Sequence, residues 1–196
     1  MISLNQINKK FDIIYLDCPW HYNDECHAGE RGAIYKYPLM TMDELKALPV
    51  GSIAADDCVM FLWVTFPKLE EIFECGLIKH WGFEYKTNAF TWIKKNEKGK
   101  GLFWGMGRWT RSNAEICLLA TKGNPKRINA DVHSVITTPI EEHSKKPSVT
   151  RDRIVQLCGD LPRIELFARQ AAPGWVSWGL DVGTLYTPPE ENKFFI

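Results

Sequence analysis

Four residues early in the chain combine side-chain types that suit the binding of an amine on a flat heterocycle. They are Asp17, Cys18, Pro19 and Trp20. Pro19 biases Cys18 toward an extended conformation, which leaves the Cys18 carbonyl free to accept a hydrogen bond from a ligand. The Asp17 carboxylate offers a second acceptor, and Trp20 offers a ring on which a base can stack. The same four residues are also compatible with a turn at a strand end that carries a core tryptophan.

The flanking sequence predicts the elements that would position these residues. The apolar run FDIIYL at residues 11–16 predicts a buried strand that stops at Asp17. A capping box at 41–44 predicts a short helix to about Leu48. A second helix is predicted to begin at Pro67, in KLEEIFECGLIKHWG, with Gly76 or Gly82 near its end. The other predicted elements are strands at 58–64, 83–93, 114–120 and 163–167, a long loop at 122–146 and a helix at 147–158.

Buried strands that alternate with helices predict an α/β protein with a mostly parallel sheet covered on both faces. In such sheets, ligands bind beyond the carboxyl ends of the strands, which directs attention to Asp17 and to the residues that follow Leu166. Trp63, Trp81 and Trp92 fall within or near predicted elements and are expected in the core.

The charges of the chain cancel overall but are distributed unevenly. The 24 basic and 24 acidic side chains give a net charge of zero. Residues 1–93 carry 8 basic and 13 acidic side chains (−5), residues 94–127 carry 9 and 2 (+7), and residues 128–196 carry 7 and 9 (−2). The positive segment begins with Lys94 and Lys95 and contains GKGLFWGMGRW, a mixture typical of a loop that faces nucleic acid. A solvated loop with a few packed aromatic residues fits this segment equally well.

Composition excludes several classes of protein. A hydrophobic fraction of 45% and a charged fraction of 24% are typical of a soluble globular protein, here expected to form a single domain over residues 1–196. Neither a membrane span nor a signal peptide is predicted. Six cysteines without a CxxC pair predict reduced thiols in a cytoplasm. His21, Cys26 and His27 have no second ligand pair, so no metal is predicted.

Five stretches of the chain together resemble a known family. In order along the chain they are DCPW at 17–20, GRWTRSNAE at 107–115, HSKKP at 143–147, IELFAR at 164–169 and GWVSWG at 174–179. The chain resembles amino-methyltransferases that use S-adenosylmethionine (SAM) and carry a D-P-P-W type signature. It is most similar to the family of the mRNA adenosine-N6 methyltransferase catalytic subunit, which has bacterial and phage relatives that act on DNA. The resemblance implies a Rossmann-like SAM-dependent methyltransferase fold.

The signature departs from the family pattern at one position. Cys18 stands where the family usually has proline, but the backbone carbonyl survives this change. Asp17 and Trp20 are both present, so the resemblance implies an active enzyme. It also implies that Asp17 hydrogen-bonds the adenine N6 near the SAM methyl group and that Trp20 stacks on the target base. Tyr22 is expected either to line the same pocket or to pack against its neighbours.

The resemblance assigns further residues to the cofactor. Lys146 of HSKKP is expected at the carboxylate end of SAM, and Phe167 and Arg169 are expected along its adenosine part. Ala171 and Ala172 stand where some relatives place ribose contacts, and Gln170 or Asp181 is expected to substitute for them.

On the substrate side, Trp109, Arg111 and Glu115 match a family motif near the base pocket. A simple ion pair between Arg111 and Glu115 is the alternative. Two segments, 21–40 and 94–112, are expected to be the substrate-facing loops, and Lys94 and Lys95 are expected to contact nucleic acid.

The function expected from this resemblance is methyl transfer from SAM to adenine N6 in DNA. The chain lacks the long extensions of the eukaryotic RNA enzyme, which favours a compact bacterial or phage form in the cytoplasm of its host, as a monomer or homodimer. The alternatives are an RNA adenine methyltransferase and a non-catalytic partner subunit that keeps the fold. A methyltransferase for small molecules or free nucleotides is a third, against which the basic, aromatic segment counts.

Overall fold

The computed structural model describes residues 4–22, 38–107, 109–141 and 145–186. Parts of the predicted loops and of HSKKP (residues 23–37, Arg108, His143 and Ser144) lie outside these ranges, as do Cys26 and His27. The strands are β1 (Phe11–Asp17), β2 (Ala54–Val64), β3 (Glu84–Lys95), β4 (Glu115–Lys122), β5 (Val135–Pro139), β6 (Arg163–Leu166), β7 (Val176–Gly179) and β8 (Thr184–Tyr186). The α-helices are α1 (Met42–Ala47), α2 (Val50–Ile53), α3 (Leu69–Glu74), α4 (Leu77–His80) and α5 (Val149–Cys158). Short 3-10 turns cover Leu4–Gln6 and Phe66–Lys68.

The eight strands form one sheet in the order β5-β3-β4-β2-β1-β6-β7-β8. Four of the seven pairings are parallel, and β4 runs antiparallel to both of its neighbours, β3 and β2. The amino end of β4 therefore lies at the same edge of the sheet as the carboxyl ends of β1, β2, β3 and β6. This edge is where an α/β sheet binds its ligands.

The two faces of the sheet are both covered. Successive side chains of a strand point to opposite faces, and in β1 Ile14 and Leu16 pack into one apolar cluster while Ile13 and Tyr15 pack into another. Buried side chains of α1 to α4 belong to the first cluster, and Ile154 of α5 belongs to the second. The predicted Rossmann-like α/β class, with a mostly parallel sheet and helices on both faces, is confirmed. Trp63, Trp81 and Trp92 are buried, as predicted.

Most predicted elements are confirmed, including the first strand and the capping box at Thr41, where the Thr41 and Glu44 side chains each accept a hydrogen bond from the other's backbone N–H. The helix predicted from Pro67 ends near Gly76, the first of its two candidate glycines. The segment forms a 3-10 turn followed by α3 and α4, because Gly76 between the two helices adopts a left-handed φ of 67°. Gly159 ends α5, as predicted for that helix.

Three strands are absent from the sequence prediction. The predicted loop at 122–146 contains β5, in which Ile136 is the only buried residue, so the strand carries too little apolar pattern to be recognised. β7 lies within GWVSWG, a stretch too short for the alternation of a strand to be clear, and β8 has only three residues. These strands extend the sheet at its two ends.

Within the ranges that the structure describes, no helix is both long enough and apolar enough to cross a membrane. The five cysteines of these ranges are free thiols.

Candidate active site

Four charged side chains of alternating sign form a chain at the ligand-binding edge of the sheet. The Lys146 ammonium lies 2.8 Å from a carboxylate oxygen of Asp17 and 3.1 Å from one of Glu115. Glu115 also pairs with the Lys94 ammonium. All four side chains are largely buried, with exposed fractions of 25% or less. We call this set, Asp17-Lys146-Glu115-Lys94, the charge chain.

The strand register explains why residues so distant in sequence meet here. Asp17 lies opposite Trp63 of β2, and Trp63 lies opposite Cys117 of β4, two positions from Glu115. Glu115 in turn lies opposite Trp92 of β3, two positions before Lys94. Since side chains two positions apart share a face, these residues all point toward the face that α5 covers. Lys146 reaches the same face because it lies three residues before Val149, the first residue of α5.

Two buried tryptophan rings lie beneath the two lysines of the charge chain. The Lys146 ammonium lies 5.8 Å from the centre of the Trp63 ring, and the Lys94 ammonium lies 5.1 Å from that of Trp92. Each indole N–H is itself bonded: Trp63 donates to the Tyr15 hydroxyl at 2.7 Å and Trp92 donates to that of Thr138 at 2.9 Å. The rings attract the cations and exclude water, which strengthens the ion pairs above them.

The two carboxylates of the charge chain titrate in opposite directions. Burial raises the pKa of Asp17, and the nearby Lys146 only partly offsets this. Burial also favours the neutral form of Glu115, but Lys146 and Lys94 outweigh it and the pKa of Glu115 is lowered. For Lys146 the burial penalty is outweighed by Asp17 and Glu115, so its pKa is raised. Asp17 is therefore the member of the chain that most readily accepts a proton.

A cleft that is open to solvent lies beside Asp17. Its lining combines carboxylates, cations and aromatic rings: Tyr15, Asp17, Lys145, Lys146, Arg151, Glu165, Phe167, Arg169 and Gln170. Phe167 adopts a φ of 60°, which is unusual for an aromatic residue, and strain of this kind clusters at functional sites. The strained residue turns the chain out of β6 at the mouth of the cleft.

Four of the predicted cofactor residues, with Asp17, surround this cleft: Lys146, Phe167, Arg169 and Gln170. Asp181 is exposed and is not among the residues that line it. Glu165 pairs with Arg151 of α5 at 2.9 Å. The sequence reasoning did not identify Arg151, although its place in the first turn of the helix after HSKKP directs it toward the cleft.

The residues predicted to bind the base adopt more enclosed positions than a base-stacking role requires. Trp20 is 5% exposed, and its indole N–H has no hydrogen-bond partner among the described residues. The Cys18 carbonyl accepts a hydrogen bond from the Trp20 backbone N–H at 2.9 Å, which leaves one lone pair for a ligand. Met40 donates a backbone hydrogen bond to Pro19, so this segment is fastened in place.

The basic, aromatic segment is divided between the site and the surface. Lys94 points inward to Glu115, and Lys95 is partly buried, whereas Trp109 and Arg111 are exposed. The alternative ion pair between Arg111 and Glu115 does not form, because Glu115 binds two lysines and Arg111 contacts the Met106 sulfur at 3.5 Å.

A residue that sequence reasoning missed holds this segment to the site. The Asn113 side chain accepts a hydrogen bond from the Lys94 backbone N–H at 3.0 Å and donates one to the Lys94 carbonyl at 2.9 Å. It also donates to the Phe103 carbonyl. The exposed loop is therefore anchored to the backbone of a charge-chain residue.

The fold and the site together define a Rossmann-like methyltransferase domain. Residues 11–181 match the MT-A70 family, and the chain belongs to that family. The chain is 34% identical over 192 residues to the Type II methyltransferase M.MunI of Mycoplasma sp, covering 89% of this chain and 78% of that protein. It is 30% identical over 174 residues to the N(6)-adenosine-methyltransferase catalytic subunit METTL3 of Homo sapiens, covering 87% of this chain but 28% of that protein. These matches confirm the resemblance predicted from the five motifs.

Proposed function

We propose that this protein transfers the methyl group of SAM to the exocyclic N6 amine of adenine in DNA. The observation that carries the proposal is the position of Asp17. This carboxylate ends β1, lines the cleft and carries a raised pKa, and it opens the signature that places the chain among adenine methyltransferases. A single buried acceptor at this position suits an amine that must be held while it reacts.

The chemistry of the cleft fits SAM. Its lining offers the cations Lys146 and Arg169 for a carboxylate, the acids Asp17 and Glu165 for an ammonium, and the Phe167 ring for a flat base. When bound, SAM supplies a methyl group on a positively charged sulfur.

The residues of the chain account for the rest of the reaction. The Asp17 carboxylate and the remaining lone pair of the Cys18 carbonyl accept hydrogen bonds from the two N–H groups of the amine and so orient it. Methyl transfer leaves the amine with one proton too many, and the raised pKa of Asp17 allows a carboxylate oxygen to take up that proton. Lys146 and Glu115 hold the Asp17 side chain in place meanwhile.

The nucleic-acid side of the proposal rests on the loop anchored by Asn113. Between Lys98 and Ala114 the chain has four basic residues and no acidic one. Trp104 and Trp109 in this loop are 59% and 95% exposed, far more than is usual for tryptophan. Cations that meet phosphates and rings that stack on bases are the two elements of a nucleic-acid surface. Similarity to the Type II methyltransferase M.MunI over 78% of that protein favours DNA as the substrate.

Replacing the exposed rings should weaken DNA binding without loss of stability. We expect Trp109→Ala and Trp104→Ala each to lower DNA affinity by roughly 1–3 kcal/mol, the contribution of one base stacked on an aromatic ring. Fluorescence anisotropy with labelled DNA measures this change. Ile128→Ala is the matched control, since Ile128 is also an exposed apolar residue but lies in another loop. Equal affinities for all three variants would show that the loop does not bind DNA.

A transfer assay tests the proposed function directly. The protein is incubated with labelled SAM and with adenine-containing DNA, adenine-containing RNA or oligonucleotides that contain only cytosine. We expect label in adenine-containing DNA, with N6-methyladenine as the product. Label in RNA instead would correct the substrate, and no label in any adenine substrate would refute the proposal. Titration calorimetry with SAM distinguishes an active enzyme, which binds SAM, from a non-catalytic partner subunit, which does not.

The proposal has three further parts. They are a single domain over residues 1–196, a cytoplasmic location and a homodimer.

A further inference from the structure

Tyr22 is held at two points by residues outside the five sequence motifs. Its hydroxyl lies 2.7 Å from the Thr65 hydroxyl, and the Lys68 ammonium lies 5.2 Å from the centre of its ring. Thr65 directly follows β2, and Lys68 ends the 3-10 turn that comes next. One short stretch of chain therefore fixes both the tip and the face of the Tyr22 ring.

The position of Thr65 places this ring beside the charge chain. Val64, the last residue of β2, lies opposite Ile116, so the next residue outward on each strand is Thr65 and Glu115. On its other side β2 pairs with β1, where Trp63 lies opposite Asp17. Thr65 thus lies at the sheet edge between the two carboxylates. Burial raises the pKa of Tyr22, and the charges of Glu115 and Asp17 add to this increase.

Lys68 is an unusual residue to find packed against an aromatic ring in a buried position. It is only 7% exposed, and its ammonium pairs with Glu71 at 2.6 Å. Burying a lysine is unfavourable even when it is paired, and an aromatic side chain would pack against Tyr22 without that cost. A cation over the face of the ring instead fixes its orientation, because the attraction depends on the ring face.

Tyr22 is not part of the cofactor cleft. The nine residues that line the cleft include Asp17 but none of Tyr22, Thr65 and Lys68. We infer that Thr65 and Lys68 are positioning residues, which hold the Tyr22 ring as a wall against which the acceptor adenine is aligned with Asp17. This inference rests on the proposed function and adds the residues that set the position of the base.

Kinetics of methyl transfer to DNA test the inference. Thr65→Val and Tyr22→Phe each remove the same hydrogen bond, so we expect each to lower kcat/KM for DNA about fivefold, the worth of one such bond. The double variant should lose no more than either single one. Thr65→Ser keeps the hydroxyl and should restore the wild-type value. Lys68→Met should raise KM for DNA, and Tyr22→Leu, which removes the wall, should have the largest effect.

Two further measurements separate positioning from a merely structural role. Calorimetry should give the same SAM affinity for all six variants and the wild type, and thermal unfolding should report their stability. Variants with lower stability but unchanged KM and kcat for DNA would overturn the inference, as would a loss of SAM affinity equal to the loss for DNA. A wild-type protein without transfer activity would refute the proposed function, whereas an active wild type with unaffected variants refutes only this inference.

Discussion

Asp17→Asn should abolish measurable methyl transfer while the protein stays folded. Asparagine has the same shape, but it lacks the negative charge that holds the amine and cannot take up its proton. We expect kcat to fall by at least about 100-fold to 1,000-fold, as when a single preorganised polar group is removed from an active site. The fold should persist because Lys146 keeps its contact with Glu115, and the buried charge of Asp17 is removed together with its ion pair. The transfer assay and circular dichroism measure the two effects.

A matched variant and a pH profile sharpen this test. Asp160→Asn neutralises an exposed carboxylate away from the cleft and should leave transfer unchanged. In the wild type, protonation of Asp17 removes the same negative charge. Because the pKa of Asp17 is raised, kcat should fall as the pH decreases. The midpoint of this fall should lie above 3.8, the usual pKa of aspartate. Transfer by Asp17→Asn within a few-fold of the wild type would exclude Asp17 from catalysis.

The part of the site that could be predicted from the sequence lies in contiguous stretches. Asp17 and its three neighbours follow one apolar run, and the combination of carboxylate, proline and tryptophan indicates its chemistry without any knowledge of the sheet. Phe167 and Arg169 likewise follow the strand that positions them. Local order along the chain is sufficient in these cases, because each residue lies directly beyond the end of a buried strand.

The contacts between these stretches could not be predicted in the same way. Lys94 in a basic segment is typical of a phosphate contact, yet it points inward because β4 runs antiparallel beside β3 and brings Glu115 to it. Apolar periodicity does not specify strand direction. Lys68 was missed for a different reason, since a lysine near a helix start is normally solvated and nothing local predicts its burial. Both depend on contacts between residues far apart in sequence.

Lys146→Met should have the largest effect on stability of any single change in the charge chain. The Lys146 ammonium is the only group of the charge chain that contacts both Asp17 and Glu115. Its removal leaves one buried carboxylate without its ammonium partner and the other with Lys94 alone, which we expect to cost roughly 3 kcal/mol of unfolding free energy at pH 7.5. Urea denaturation measures the loss. Lys145→Met is the matched control, because Lys145 forms a more exposed pair with Glu141 whose contribution is expected to be below about 1 kcal/mol.

The pH dependence of this loss identifies its cause. The lowered pKa of Glu115 means that its contribution to stability is present above 4.5, its usual pKa, and is lost as the pH falls through the folded value. Without Lys146 the pKa of Glu115 rises, and the contribution of Glu115 to stability becomes smaller. The pKa of Asp17 rises further, so the ionised form of Asp17 is more costly at neutral pH. The difference between wild type and Lys146→Met should therefore decrease toward pH 4, because both carboxylates of the variant become protonated at a higher pH than those of the wild type. A difference that is the same at pH 7.5 and pH 4 would mean that Lys146 stabilises the protein through packing, and that Asp17 is held in place by other contacts.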